Sequence, residues 1–196
     1  DVLINNAGFG QLGTVEHVSM QSAHYQFEVN VFAYAKFMQA VLPHMRKEQS
    51  GYIINISSVL GKFAVPGFGW YAASKHAVEA LSEAVRGEVK SFGIKVIMIA
   101  PGLIKTEFVT KEFELLKKVR HSSAYNKVLL GMHDIVSNEP YSPGPEIIAL
   151  AIFKNIEEKN SFIRQALPWD SKAAVIAQWI FGDRLFSWFI HRIMKI

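Results

Sequence analysis

Residues 52–58, Tyr52-Ile53-Ile54-Asn55-Ile56-Ser57-Ser58, run almost unbroken in large apolar side chains and then stop on two hydroxyls. A strand with one face in water alternates apolar and polar residues, so this run predicts a strand buried on both faces, as in a parallel sheet. Val2-Leu3-Ile4 and Val96-Ile97-Met98-Ile99-Ala100 read the same way. Between the first two lies a helical stretch from about Met20 to Lys47, with Phe27, Val31, Tyr34, Phe37, Met38, Val41 and Leu42 at three- and four-residue spacings. Between the second and third, from Trp70 to Phe92, the residues Ala73, Ala77, Ala80, Leu81, Ala84 and Val85 repeat that period. Strand, helix, strand, helix, strand predicts right-handed crossovers and a doubly wound α/β layer fold.

Composition narrows the class. The 196 residues are 50% hydrophobic and 19% charged, with a formal net charge of +4, which fits one soluble domain over residues 1–196 with a sizeable core. Disordered and collagen-like chains are excluded by that apolar content and by only 13 Gly and 7 Pro. No cysteine is present, which removes disulfide frameworks and thiol catalysis and makes a cytoplasmic location the default expectation. The Lys and Arg residues are dispersed rather than striped among stacking aromatics, so nucleic acid is not an expected partner. The seven His include no His-x-x-x-His pair, and no metal site is expected. No signal peptide is visible and no apolar run is long enough to span a bilayer, the run from Ala173 being broken by Gly182-Asp183-Arg184.

After Pro101-Gly102 the pattern changes. Residues 103–142 mix charge, aromatics and polar runs and read as a partly helical excursion at the sheet edge, a substrate-binding loop or lid. Pro143-Gly144-Pro145 stops it, and a helix starts near Pro145 with Ile147, Ile148, Ala151, Ile152 and Ile156 on one face. A short strand is expected at Ser161-Phe162-Ile163, followed by an aromatic amphipathic tail over 172–196.

In an open parallel sheet ligands bind beyond the carboxyl ends of the strands. The residues there are Asn5-Asn6-Ala7-Gly8, Ser57-Ser58 and Pro101-Gly102, and the helix starting near Trp70 places Tyr71 and Lys75 four apart on one face. A phenol with a pKa near 10 is a poor acid or base at neutral pH unless a nearby cation stabilises its phenolate, and Lys75 is placed to do so. Chance supplies about 0.5 such Tyr-x-x-x-Lys spacings in a chain of this composition, so the pair decides nothing alone. Its occurrence together with the other strand ends is what informs.

Taken together these segments resemble the short-chain dehydrogenase/reductase family in its Tyr-x-x-x-Lys branch, strongly over residues 1–108 and in outline beyond. The resemblance implies a Rossmann-like, three-layer α/β/α fold and an NAD(P)-dependent oxidoreductase that interconverts an alcohol and its ketone or aldehyde. It implies Asn30, Ser58, Tyr71 and Lys75 as the catalytic set, with Ser58 thirteen residues before Tyr71. The cofactor, NAD or NADP, would be held by Asn6, Ala7, Gly8, Tyr71, Lys75, Pro101, Gly102, Ile104 and Thr106. Tyr71 would be the general acid, Lys75 would lower its pKa and hold the ribose hydroxyls, and Asn30 would interrupt its helix to hold a relay water. A homodimer or homotetramer through the helices at 20–47 and 70–92 is implied as well. The family's opening strand and Gly-rich turn are missing. Gly8-Phe9-Gly10 with Gly13 follows what would be the fourth strand and lacks the Gly-x-Gly-x-x-Gly spacing. The chain therefore reads as a fragment without roughly two βαβ units of ~30 residues each, and the residue that selects NAD or NADP is absent.

Structural roles compete at several positions. Ser57 fits a residue that terminates a strand by bonding to backbone, Asn30 a buried helix–helix contact, and Thr106 an N-cap for Glu107-Phe108-Val109. The tail residues Trp179, Phe181, Trp188 and Phe189, flanked by Arg184, Arg192 and Lys195, fit a packing helix, a lid over an apolar substrate or a peripheral membrane helix. A hydrophobic substrate is expected: a lipid, steroid, retinoid or acyl carbonyl compound. The competing reading is a catalytically inactive module that binds a membrane or a partner.

Overall fold

The structure is a computed structural model that describes residues 1–106, 124–137, 142–157 and 163–196. Four strands, β1 (Val2–Asn5), β2 (Gly51–Ile56), β3 (Ile94–Pro101) and β4 (Arg164–Leu167), form one sheet in the order β1-β2-β3-β4, and every adjacent pair is parallel. The first crossover is a continuous helical rod made of α1 (Met20–Phe27), a π-helical turn (Glu28–Phe32) and α2 (Ala33–Lys47). The second is α3 (Gly69–Val89), which tightens into a 3₁₀ turn at Lys90–Phe92. Gly93 ends it with φ 67°, and a Cβ there would lie 2.4 Å from the Gln49 carbonyl oxygen. Glycine meets both demands. Among the described residues three more helices follow: α4 (Asn126–Ser137), α5 (Glu146–Glu157) and α6 (Trp169–Met194).

Both faces of the central strands are covered, which explains their continuous apolar sequence. Ile53 and Val96 pack with Leu3 against Met38 and Met45 of α2 and Val89 of α3. On the opposite face Ile54, Ile56, Ile97 and Ile99 pack against Ile148, Ala151 and Ile152 of α5. The period of two along each strand decides which side chain meets which layer. β1 departs from the expectation of two-sided burial, because α5 lies over β2 and β3. Val2 and Ile4 remain 42% and 44% exposed on that side.

A polar ladder crosses the α2/α3 face. Asn5 and Asn55 are register partners, and Asn5 Nδ2 donates to Asn55 Oδ1 over 2.8 Å. Asn55 Nδ2 donates to Ser82 Oγ (2.8 Å), and Ser82 Oγ donates to the Val78 carbonyl (2.7 Å). Each of these side chains is buried, so each depends on its neighbour to replace water.

The fourth strand comes later than the sequence suggests. Ile163 is a bend that still accepts from the Met98 N–H, and the ladder runs over Arg164–Leu167; residues 161 and 162 lie outside the described residues. The cause is Arg164, a charged residue that opens the strand because Glu79 and Glu83 receive its guanidinium. Of the excursion at 103–142, α4 supplies a helix, while 107–123 and 138–141 lie outside the described residues. The aromatic tail belongs to a helix that begins at Trp169 and breaks at Gly182 (φ 65°, ψ 174°). Replacing Asn55 with Ala strands the Asn5 amide and leaves Ser82 Oγ only its bond to the Val78 carbonyl, and it is expected to destabilise the fold by about 2–3 kcal/mol, measured by urea unfolding.

Candidate active site

The site is assembled where β1, β2 and β3 end. The ladder between β1 and β2 stops at Asn5↔Asn55, one residue short of Ile56. The Ile56 carbonyl receives side chains: Lys75 Nζ donates to it over 2.9 Å and Tyr34 Oη over 3.3 Å. Lys75 is 4% exposed although it carries an ammonium. Its charge lies between two aromatic rings, 5.6 Å from the centroid of Tyr34 and 5.8 Å from that of Tyr71. Ring faces attract cations, and in a desolvated setting this compensates part of the lost hydration.

Burial lowers the Lys75 pKa to about 8, and the carboxylate of Glu79, one helical turn on, acts in the opposite direction. At neutral pH the group is cationic yet close to titration. The Tyr34 hydroxyl is driven above the usual tyrosine range by burial first and by Tyr71 second, so it stays a neutral donor.

Asn30 sits in the π-helical turn and is completely buried. The wider turn interrupts the α-helical spacing at the point where the side chain must reach out of the rod. Its Oδ1 accepts from the Phe9 N–H (3.1 Å), while Nδ2 donates to the Phe9 carbonyl (2.8 Å) and to Ser74 Oγ (3.1 Å). Ser74 in turn donates to the Tyr71 carbonyl (2.7 Å). One amide thus ties the loop after β1 to the first turns of α3, combining the helix–helix contact and the helix interruption weighed from sequence.

Ser58 Oγ accepts from the Leu60 N–H (3.2 Å) and donates to the Pro101 carbonyl (3.4 Å), linking the ends of β2 and β3. The strand-terminating role considered for Ser57 therefore falls to Ser58. Ser57 Oγ is buried and has no hydrogen-bond partner among the described residues. Gly8 lies where a Cβ would come 3.1 Å from Asn30 Oδ1 and 3.6 Å from Lys75 Nζ, so the glycine leaves a cradle open over both. Asn6 and Ala7 beside it are exposed. Pro101 and Gly102 are half-buried, and a Cβ on Gly102 would strike Ser171 Oγ at the start of α6. That glycine is explained by packing as well as by any ligand. Ile104 is buried and Thr106 half-buried, and residues 107–109, for which Thr106 was weighed as an N-cap, lie outside the described residues.

Several participants escaped the sequence reading. Tyr34 and Glu79 were legible in principle, each four residues beyond a chosen residue on the same helix, Asn30 and Lys75. Glu79 is 3% exposed and is held by Arg164 (Nε to Oε2, 2.7 Å) and Lys62 (3.4 Å). No local signal couples Arg164 to it, since the contact spans 85 residues.

Beyond the strand ends lies an apolar cluster of Leu12, Val65, Leu129, Met132 and Met194, with Leu60, Phe63, Phe68, Val128 and Ile190 packed on it. It joins the loops after β1 and β2 to α4 and α6.

Comparison with known proteins agrees with this arrangement. The family described as short chain dehydrogenase matches residues 1–116. A 3-ketodihydrosphingosine reductase of Bacteroides thetaiotaomicron is 35% identical over 196 residues, covering 100% of this chain and 70% of that enzyme. An NADPH-dependent 3-dehydrocapnine reductase of Ornithobacterium rhinotracheale is 42% identical over 110 residues, 54% of this chain and 39% of that enzyme. A solved short-chain dehydrogenase from Streptomyces avermitilis superposes with TM-score 0.80 at 30% identity, over 92% of this chain and 65% of its own. Solved proteins of the same fold hold NADP, NADH or NAD.

Asn30→Ala removes two bonds to Phe9 of the β1 loop and one to Ser74 of α3, and with them the link between the two. It is expected to cost about 2–3 kcal/mol in urea unfolding and to increase proteolytic cutting near Phe9.

Proposed function

The chain belongs to the short-chain dehydrogenase family of NAD(P)-dependent oxidoreductases, and from that premise we propose that it interconverts a hydrophobic alcohol and its carbonyl compound by hydride transfer. The observation that carries the reading is the buried ammonium of Lys75 lying beneath the Tyr71 ring at the common end of three parallel strands.

The residues present fit a nicotinamide cofactor. Gly8 keeps open a cradle beside Asn30 and Lys75, the exposed turn at Asn6 and Ala7 borders it, and Lys75 brings donors to the same place. Pro101, Gly102, Ile104 and Thr106 line the adjoining strand end as further cofactor contacts. When bound, the nicotinamide supplies the hydride that adds to the carbonyl carbon.

The chain's own groups manage charge and protons. Ser58 and Tyr71 hydroxyls orient the carbonyl oxygen, and negative charge that develops there in reduction is stabilised by their O–H dipoles. Tyr71 gives its proton to that oxygen as general acid, and in oxidation it takes the proton back. Lys75 makes the phenolate accessible by placing a positive charge against the ring, in a setting where low polarity strengthens the interaction. Asn30 positions the Gly8-Phe9 loop and, through Ser74, the backbone at Tyr71, which fixes the reacting geometry.

The apolar cluster at the strand ends supports a long-chain or polycyclic substrate, as do two relatives whose names specify sphingoid and capnine ketones. The segment 103–142 is the substrate-binding loop or lid in this reading, its helix α4 packing with the inner side of α6 in that cluster. Pairing of two chains through α1–α3 is part of the same reading; Tyr25, Phe32 and Phe37 stand exposed there.

Tyr71→Phe is expected to reduce turnover of a long-chain ketone at least about 10³-fold while leaving NAD(P)H binding, read by fluorescence, within about threefold. Retained turnover contradicts the assignment of Tyr71. A preference for small polar alcohols over long-chain ones contradicts the substrate class.

A further inference from the structure

The sequence Asp183-Arg184-Leu185-Phe186-Ser187-Trp188-Phe189-Ile190-His191-Arg192-Ile193-Met194-Lys195-Ile196 contains two apolar sets at helical spacing. Phe186, Ile190 and Met194, four apart, form the inner side: Phe186 and Met194 are buried, and the Phe63 and Phe186 rings meet with centroids 4.8 Å apart. Leu185, Trp188, Phe189 and Ile193 form a second stripe that stands exposed, Trp188 by 60%. Before the break at Gly182, Trp179, Ile180 and Phe181 are exposed as well, Trp179 by 81%. A contiguous apolar surface of this kind is unusual on a free monomer and marks a contact.

Charge indicates what the contact is. At about 100° per residue, Arg184 and His191 fall on one line along the helix, bordering the apolar stripe, and Lys195 caps its C-terminal end in a left-handed conformation. Arg192 lies at the stripe itself with its guanidinium over the Trp188 ring, 5.7 Å from the centroid. Residues 183–196 carry three Arg or Lys and a single acid, Asp183. In a symmetric pairing with a second copy, whether these helices run parallel or antiparallel, Arg184, Arg192 and Lys195 would find on the same segment of the partner only one acid, Asp183, against three bases. An apolar stripe with tryptophans and a basic border instead matches the boundary of a bilayer with acidic headgroups, where the rings enter the acyl region and long basic side chains reach phosphate.

We propose that the outer side of α6 docks this protein on the surface of an anionic membrane. The contact is peripheral, because no helix among the described residues is long and apolar enough to cross a membrane. The inner side of the same helix packs on Leu12, Val65 and Met132 beyond the strand ends, so docking sets the carboxyl end of the sheet toward the lipid. The proposal stands apart from the hydride-transfer reading, as its argument uses neither cofactor nor Tyr71.

The test is co-sedimentation of the whole protein, without cofactor or substrate, with vesicles of phosphatidylcholine alone or containing about 30 mol% phosphatidylglycerol. Sedimentation with the anionic vesicles, with tryptophan emission shifted to the blue, is expected. Arg184→Glu combined with Lys195→Glu should weaken that binding at least about tenfold without lowering the melting temperature. Trp188→Ser combined with Phe189→Ser should weaken it as well. No sedimentation, equal binding to both kinds of vesicle, or unchanged binding by the charge-reversed variant overturns the proposal. So does a dimer that Trp188→Ser splits while vesicles capture neither form. Tyr71→Phe should bind vesicles like the parent protein, which keeps the two proposals separately falsifiable.

Discussion

A single backbone carbonyl, that of Ile56, organises this molecule's chemistry. It stands where the β1–β2 ladder has ended, and it accepts both Lys75 and Tyr34. Moving an isolated ammonium out of water is so unfavourable that such groups usually lose their proton. Here a carbonyl, two aromatic rings and the Glu79 carboxylate keep the charged form accessible. The compensation is incomplete. A lysine that releases its proton near pH 8 when folded and near 10.5 when unfolded lowers stability below pH 8, and that penalty disappears as pH rises from 8 to 10.5. The fold therefore carries an electrostatic strain at the place where a proton has to move.

The rest of the architecture keeps that arrangement in register. Lys75 reaches Ile56 because α3 is held against β2 and β3 by Val85 and Val89. The polar ladder from Asn5 through Asn55 to Ser82 fixes α3 along the strands at the same time. Below Lys75, Glu79 is clamped by Arg164 from β4 and by Lys62 from the segment after β2. A buried carboxylate without such partners would be costly, and with them it becomes a counter-charge.

Much of this was legible in the sequence, for identifiable reasons. Two-sided burial of β2 and β3 left continuous apolar runs, and the parallel order followed from the helices between them. Ser58, Tyr71 and Lys75 drew attention because they follow a strand end or share a helix face there, while Asn30 and the roles of all four came from the resemblance to the family. The structure brings Asn30 to the Gly8-Phe9 loop, Ser58 to Pro101 and Lys75 under Tyr71. What could not be read depends on long-range contact. The start of β4 is set by Arg164, whose place in a half-buried strand follows only once Glu79 and Glu83 are in view. The exposure of Val2 and Ile4 depends on where α5 lies, and the two-sided character of α6 depends on which of its apolar stripes meets the body.

The claim on which the account rests is that Lys75 is a buried, easily titrated ammonium. NMR of lysine labelled at the ε carbon, followed through pH 6–12, measures this directly, with Lys75→Met identifying the resonance. A lysine titrating near pH 8 is expected, moved lower still by Glu79→Gln. A Lys75 resonance titrating at about 10.5, with the ordinary surface lysines, would contradict it.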